Sequence, residues 1–282
     1  MLAIITDSTC DIPEAMIERF GIIVVSHVII WGEEQFRDRV DLKPQEFYQR
    51  LREDDRRPTT AQAGVGDFIE AIEQAQSQGA TEALILTVSS AMSGAYNMAK
   101  TAAEGAEIPV LVVDSKGPSM SLGWQVLAAA RARDEGADMS EILARVNRVR
   151  EKMVQVVAME TLEYLQTGGR IGEAAKWVGS VLKVKPVVAI NHEKGVVTPA
   201  GLARTHSAAV ETLFTKFRNA LGEAGPAHIA VLHGNAAEEA QSLAERVRET
   251  FDPEEILINI TGPVLGINTG PGALALCGYR EA

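Results

Sequence analysis

Hydroxyl, carboxylate and glycine residues gather in three short segments, each where an apolar run gives way to a helix-like one: Thr6-Asp7-Ser8-Thr9-Cys10-Asp11, Ser89-Ser90-Ala91-Met92-Ser93-Gly94, and Asp114-Ser115-Lys116-Gly117. Two chemistries suit such segments. Ser, Thr and Asp side chains accept hydrogen bonds from the free N–H groups of a helix start. A helix start that carries glycine also holds an anion, because the dipole favours negative charge and the missing side chain lets the anion approach the backbone. The first and third segments read as caps, whereas Ser93-Gly94 has the composition of an anion site. A hydrolase or phosphatase using Asp7, Ser8 and Ser93 is the alternative. It is poorly equipped: the residue two after Asp7 is Thr9 rather than a general acid, no Gly-x-Ser-x-Gly elbow surrounds Ser93, and His206 and His233 are bases only by elimination.

The glycine-rich segment 262–272 (GPVLGINTGPG) lacks the Lys-Ser/Thr of a phosphate-binding loop and the spacing of a dinucleotide fingerprint. It reads equally as a tight crossover and as a ligand-lining loop. No His, Cys, Asp or Glu cluster has metal-ligand spacing, so no metal and no cofactor are expected. Leu162–Ile171 (LEYLQTGGRI) sets Arg170 after two glycines, and 173–184 (EAAKWVGSVLKV) is amphipathic with Trp177, Lys176 and Lys183. Within 164–192 the cations Arg170, Lys176, Lys183 and Lys185 face Glu173 alone, a basic stretch that reads either as a solvated face or as a surface for an anionic partner. Arg170 has an intramolecular alternative, a bond to Glu163 or Glu173.

The elements that must position these loops follow from periodicity. Residues 2–6, 22–30, 82–88 and 110–113 are apolar strand-like runs, and helical patterns follow most of them. Asp11 with Glu14 resembles a capping box for a helix to about Phe20, Pro44 fits the first turn of a helix carrying Phe47, Tyr48 and Leu51, and 52–66 reads as a surface loop. Alternating strands and helices predict a parallel, doubly wound sheet with its loops at the carboxyl edge. Beyond the helix near 140–152, strands at 154–159, 228–232 and 255–260, a hairpin of 187–190 with 196–199, and helices at 205–221 and 236–250 predict a second α/β unit with a mixed sheet. The chain is read as α/β with two domains, 1–153 and 154–282.

Composition limits the function classes. The 282 residues are 46% hydrophobic, enough for a large core, and the 5% aromatic content leaves that core to Ala, Val, Ile and Leu. A net charge of -11 removes the electrostatic basis for general nucleic-acid binding. Two cysteines, Cys10 and Cys277, make no disulfide framework, and the N-terminal residues show no export signal, which together suggest a cytoplasmic protein. Residues 256–279 carry no charge, yet Gly and Pro fill their middle, so they read as strand, loop and strand rather than a membrane span.

Taken together, these motifs resemble the DegV family of bacterial fatty-acid-binding proteins, the lipid carriers that serve fatty acid kinase, across essentially the whole chain. Residues 6–11 look like the family's opening loop, 58–64 (PTTAQAG) occupy the place of its Thr-Ser-Gln-Pro-Ser motif, and 89–95 are similar to its Ser-x-x-x-Ser-Gly-Thr loop. Residues 162–171 match Leu-x-x-Leu-x-x-Gly-Gly-Arg-Ile, and 262–272 match Gly-Pro-Val-x-Gly-x-His-x-Gly-Pro-Gly. The resemblance implies a ligand tunnel between two α/β domains, one long-chain fatty acid within it, and no catalytic activity of its own. It implies that Thr60, Ser93 and the backbone N–H of Gly94 meet the carboxylate, with Asn268 beside them where the family has histidine; Ala61 replaces the family's serine. It implies a dihydroxyacetone-kinase-like fatty acid kinase as partner, transient contact with a membrane surface, and Arg170, Lys176 and Arg204 as residues facing partner or membrane.

Overall fold

Leu2–Asp7 (β1) is buried along its whole length, the burial of a central parallel strand covered on both faces. The computed structural model describes residues 1–177 and 184–281, so Lys183 and part of the expected amphipathic stretch 173–184 lie outside the described residues. β1 pairs in parallel with Ile23–Val25 (β2) and Glu82–Thr87 (β6), and Val110–Asp114 (β7) completes the order β2-β1-β6-β7. Glu14–Phe20 (α1) connects the first two of these strands. Val65–Ser77 (α3) and Ala95–Glu104 (α4) cover one face, packing Phe68, Ile72 and Ala99 on Ile5 and Ile85.

Met120–Asp134 (α5) is buried on every side from Met120 to Ala130, the environment of a helix packed between two layers, and reaches solvent only at its carboxyl end. It packs Leu122, Trp124 and Val126 in one core with Ile4 and Leu84 of the first sheet and with Ala275 and Cys277 of the second. Met139–Glu151 (α6) packs along it and begins with a capping box, Asp138 accepting from the Glu141 N–H and Glu141 from the Asp138 N–H.

The second sheet is built from Val154–Ala158 (β8), Lys185–Asn191 (β9), Val196–Ala203 (β10), Ala227–His233 (β11), Glu255–Ile260 (β12) and Leu274–Arg280 (β13), in the order β10-β9-β8-β13-β11-β12. β11 and β12 are parallel and the other pairs antiparallel, so the sheet is mixed as expected. His206–Leu221 (α8) and Ala237–Phe251 (α9) cover its outer face with Phe214, Phe217 and Phe251. A small antiparallel sheet of Val28–Trp31 (β3), Glu34–Arg37 (β4) and Thr59–Ala61 (β5) has the order β4-β3-β5. Pro44–Glu53 (α2) packs Phe47 and Tyr48 against Ile29 and Trp31 of this sheet and against Val264 and Ile267 of Pro263–Thr269 (α10). Glu163–Thr167 (α7) lies against α10.

Four sequence expectations are corrected. Residues 22–30 are two strands in different sheets, because the chain breaks at Ser26 and His27, where Ser8 Oγ accepts the His27 N–H at 3.1 Å and Ser26 Oγ donates to the Asp38 carbonyl. The loop 52–66 contains β5, whose pairing with β3 supplies hydrogen bonds that a three-residue run cannot advertise. The segment 262–272 is helical over most of its length: Pro263 starts α10, and Gly266 permits contact with α2, since a Cβ there would stand 2.7 Å from Phe47 Cε1 and Tyr48 Oη. Asp11 caps no helix. It sits at φ +50° with α1 starting after Pro13, and its carboxylate is used elsewhere. Among the described residues no helix is long and apolar enough to cross a membrane.

Candidate functional site

Between the carboxyl edge of the first sheet and the inner face of the second lies a cavity of about 980 Å³, counting the open space at its mouth. Strand alternation builds one wall. Gln155, Val157 and Met159, two residues apart, turn inward, as do Val188 and Ile190 of β9. Val197, Leu232, Val264 and Leu265 extend this apolar surface, and Thr60, Gln62, Ser93, Arg170 and Asn268 bring polar groups to it. Walls of this kind favour a long hydrocarbon with one polar end.

The structure brings Thr60, Ser93, Gly94 and Asn268 to one region by different routes. Thr60 is fixed by the β3–β5 register, opposite Ile29, and its hydroxyl has no hydrogen-bond partner among the described residues. Ser93 Oγ accepts from the Ala95 N–H at 3.2 Å, and Gly94 is the N-cap of α4. The Gly94 N–H, implied to meet a carboxylate, donates to Gln62 Oε1 at 2.8 Å. Gln62 is exposed, and its amide oxygen takes the N–H that the resemblance gives to a carboxylate. Only its position two residues after Thr60 could have singled it out. Asn268 Nδ2 donates to the Val264 carbonyl at 2.8 Å, while its buried Oδ1 faces Gly168 and has no hydrogen-bond partner among the described residues.

Arg170 lines the cavity and donates through Nε to the Met92 carbonyl at 3.1 Å and through Nη1 to the Gly168 carbonyl. It therefore ties the end of α7 to the Ser93 loop. The expected bonds to Glu163 or Glu173 are both absent among the described residues. Glu163 lies 3.8 Å from Arg57 Nη2, and Glu173 accepts from Lys194 Nζ at 2.8 Å, a hydrogen bond that holds its carboxyl below the ordinary range. Lys185 is paired with Glu160, so the basic stretch is less unopposed than its sequence implies. Lys176 and Arg204 are exposed. A vestibule of about 610 Å³ adjoins the cavity, sharing Thr60, Arg170 and Asn268. Across it Arg57 stacks over the Tyr164 ring at 4.7 Å and donates to its hydroxyl at 2.8 Å.

Asp7 and Ser8 are buried and absent from the cavity lining. Asp7 accepts from Thr9 N–H (3.0 Å), Thr9 Oγ1 (2.6 Å) and Val88 N–H (2.7 Å), with His27 Nε2 at 3.4 Å. Burial alone would raise its carboxyl, but these partners together hold it below the ordinary value. Ser8 Oγ donates to Asp38 Oδ2 at 2.7 Å; burial pushes the Asp38 carboxyl up to about 6 against the opposing pull of Arg39, Ser8 and His27. No histidine hydrogen-bonds to Ser93 among the described residues: His206 lies between Glu160 and Glu239, and His233 Nδ1 accepts from the Ala236 N–H. His228, Glu254 and Glu281 bring three ligand atoms within 4.8 Å of one another, a grouping whose members are too far apart in sequence to be read as a motif.

Residues 1–281 match the family model described as "Uncharacterised protein, DegV family". A DegV domain-containing protein of Halalkalibacterium halodurans is 32% identical over 281 residues, 99% of each chain. Among solved structures, a fatty-acid-binding DegV family protein from Thermus thermophilus superposes with a TM-score of 0.90 at 31% identity, covering 99% of both chains. DegV from Bacillus subtilis, described as a fatty acid binding protein, gives 0.90 at 26% identity, again over 99% of both.

Proposed function

The chain belongs to the DegV family, and from that premise we propose that it binds one long-chain fatty acid in the cavity between its sheets. The observation that carries this reading is the cavity's make-up: apolar walls from β8, β9, β10 and α10, with hydroxyl and amide groups gathered at Thr60, Ser93 and Asn268. Each methylene removed from water contributes about 0.8 kcal/mol, so tail burial supplies most of the affinity. The head contacts fix orientation. On carboxylate entry Gln62 swings away and returns the Gly94 N–H to the ligand, with Thr60 and Ser93 as hydroxyl donors.

The finer part of the proposal is that the protein is a non-catalytic carrier, presenting the carboxylate to a separate dihydroxyacetone-kinase-like fatty acid kinase that forms acyl phosphate, and exchanging lipid at a membrane surface. Arg170, Lys176 and Arg204 are the cations assigned to those contacts. The division into 1–153 and 154–282 belongs to the same reading, with β8 opening the second unit. Native mass spectrometry of gently purified protein tests the binding claim. Co-purified or added myristic, palmitic or stearic acid should appear at one per chain, and Ser93→Ala with Thr60→Val should lose less together than the sum of their separate losses, because both serve one carboxylate. A chain that stays empty with all three acids refutes the reading.

A further inference from the structure

Gln155 sits where an apolar residue would be expected. It lies on β8 between Val154 and Val156, its side chain faces the cavity with those of Val157 and Met159, and it is 4% exposed. Its Oε1 accepts from Ser121 Oγ, and its Nε2 has no hydrogen-bond partner among the described residues. The side chain is held from behind by a buried cluster. Ser121 Oγ is also 2.8 Å from His192 Nε2 and 3.5 Å from Cys277 Sγ. Ser121 has one proton to give. Given to Gln155, it leaves the amide NH₂ turned toward the cavity; given to His192, it lets the amide reverse and turn its oxygen there. Burial pushes His192 down to about 4, so at neutral pH the ring carries one N–H and the cluster holds no charge. Either way one polar end of a buried amide is offered to the cavity.

Its depth fixes which part of a ligand it would meet. β8 runs toward α7, three residues beyond which the exposed Arg170 stands at the mouth, and Gln155 lies three residues before Ala158, the last residue of that strand. At ~3.3 Å per residue this is about 10 Å below the end of the strand, which sets the amide against the tail of a ligand whose carboxylate is held near the mouth. A saturated tail passing here would leave the amide unsatisfied, whereas a hydroxyl both donates and accepts and so matches either amide orientation.

Resting on the fatty-acid reading above, we propose that Gln155 makes the cavity selective for acyl chains that carry a hydroxyl in mid-chain. The test is displacement of a fluorescent fatty-acid probe by stearic, 10-hydroxystearic and 12-hydroxystearic acid, measured on the wild type, Gln155→Met and Gln155→Leu. The wild type should bind at least one hydroxy acid about threefold to tenfold more tightly than stearic acid, the gain of one net hydrogen bond. In either variant the preference should vanish or reverse, with stearic acid binding more tightly than before. Wild-type protein that binds stearic acid more tightly than both hydroxy acids overturns the inference, as does an unchanged ratio in a folded variant. If both variants fail to fold, the wild-type ratio alone decides. Failure of all three acids to displace the probe or to bind in mass spectrometry overturns the fatty-acid reading itself and this inference with it.

Discussion

At the scale of single residues, the buried polar side chains packed around the loop after β1 owe their state to partners from distant parts of the chain. Asp38 shows the consequence most clearly, since it is fully buried with Ser8 Oγ on one oxygen while Oδ1 has no hydrogen-bond partner among the described residues. Its carboxyl is pushed up to about 6, chiefly by burial. The folded protein therefore holds this proton more tightly than the unfolded chain, and stability attributable to Asp38 falls as pH rises from about 4 to about 6. Asp7, held below its ordinary value, has the opposite sign and loses its contribution only at lower pH. Asp38→Asn keeps an acceptor for Ser8 but cannot titrate. Urea unfolding at several pH values should show the wild type gaining on Asp38→Asn toward acid, by on the order of 3 kcal/mol across that window. Parallel pH profiles would mean that Asp38 is ionised in the fold throughout.

At the scale of elements, α10 shows how a glycine-rich segment becomes a helix. Its start is conventional, with Gly262 at the N-cap and Pro263 in the first turn. Its place is set by α2, where Phe47 and Tyr48 occupy the room a side chain on Gly266 would take. The neighbouring turns of the same helix present Val264, Leu265 and Asn268 to the cavity, so the site inherits its geometry from this helix contact. Gly266→Ala would improve intrinsic helix propensity by ~1 kcal/mol but forces a Cβ against an aromatic ring and the Tyr48 hydroxyl. Packing should win. The variant is expected to unfold at lower denaturant, by about 1–3 kcal/mol, and to bind fatty acid more weakly; a variant at least as stable as wild type would show that α2 and α10 yield without strain.

At the scale of the whole molecule, the two sheets are joined by α5 in a shared apolar core and by Asp11 in a buried polar one. The Asp11 carboxylate accepts from Ser119 Oγ at 2.6 Å, from the Gly262 N–H at 2.9 Å and from Arg39, while its carbonyl accepts from Asn259 Nδ2 at 2.9 Å. One residue thus links the loop after β1, the start of α5, the segment after β4 and the junction of β12 with α10. Asp11→Ala should cost on the order of 3 kcal/mol, because Arg39 loses the carboxylate it is hydrogen-bonded to and its largely buried charge keeps only the more distant attraction of Asp38. Arg39→Met added to Asp11→Ala should recover part of that loss in the same unfolding measurement; no recovery would assign the cost to the Ser119 and Gly262 bonds instead. Much of this molecule was legible in its sequence: the parallel strands 2–6, 82–88 and 110–113, the hairpin of β9 and β10, and Ser93-Gly94 at a helix start. Those features rest on local periodicity and capping, which neighbouring residues alone enforce. Others were decided by contacts far apart in the chain: β5 by pairing with β3, α10 by packing on α2, Asp11 by donors from residues 119 and 262, Arg170 by the Met92 carbonyl. The sequence carries the residue types for these contacts, but a contact across tens to hundreds of residues leaves no local period to read, so only the folded chain determines which group meets which.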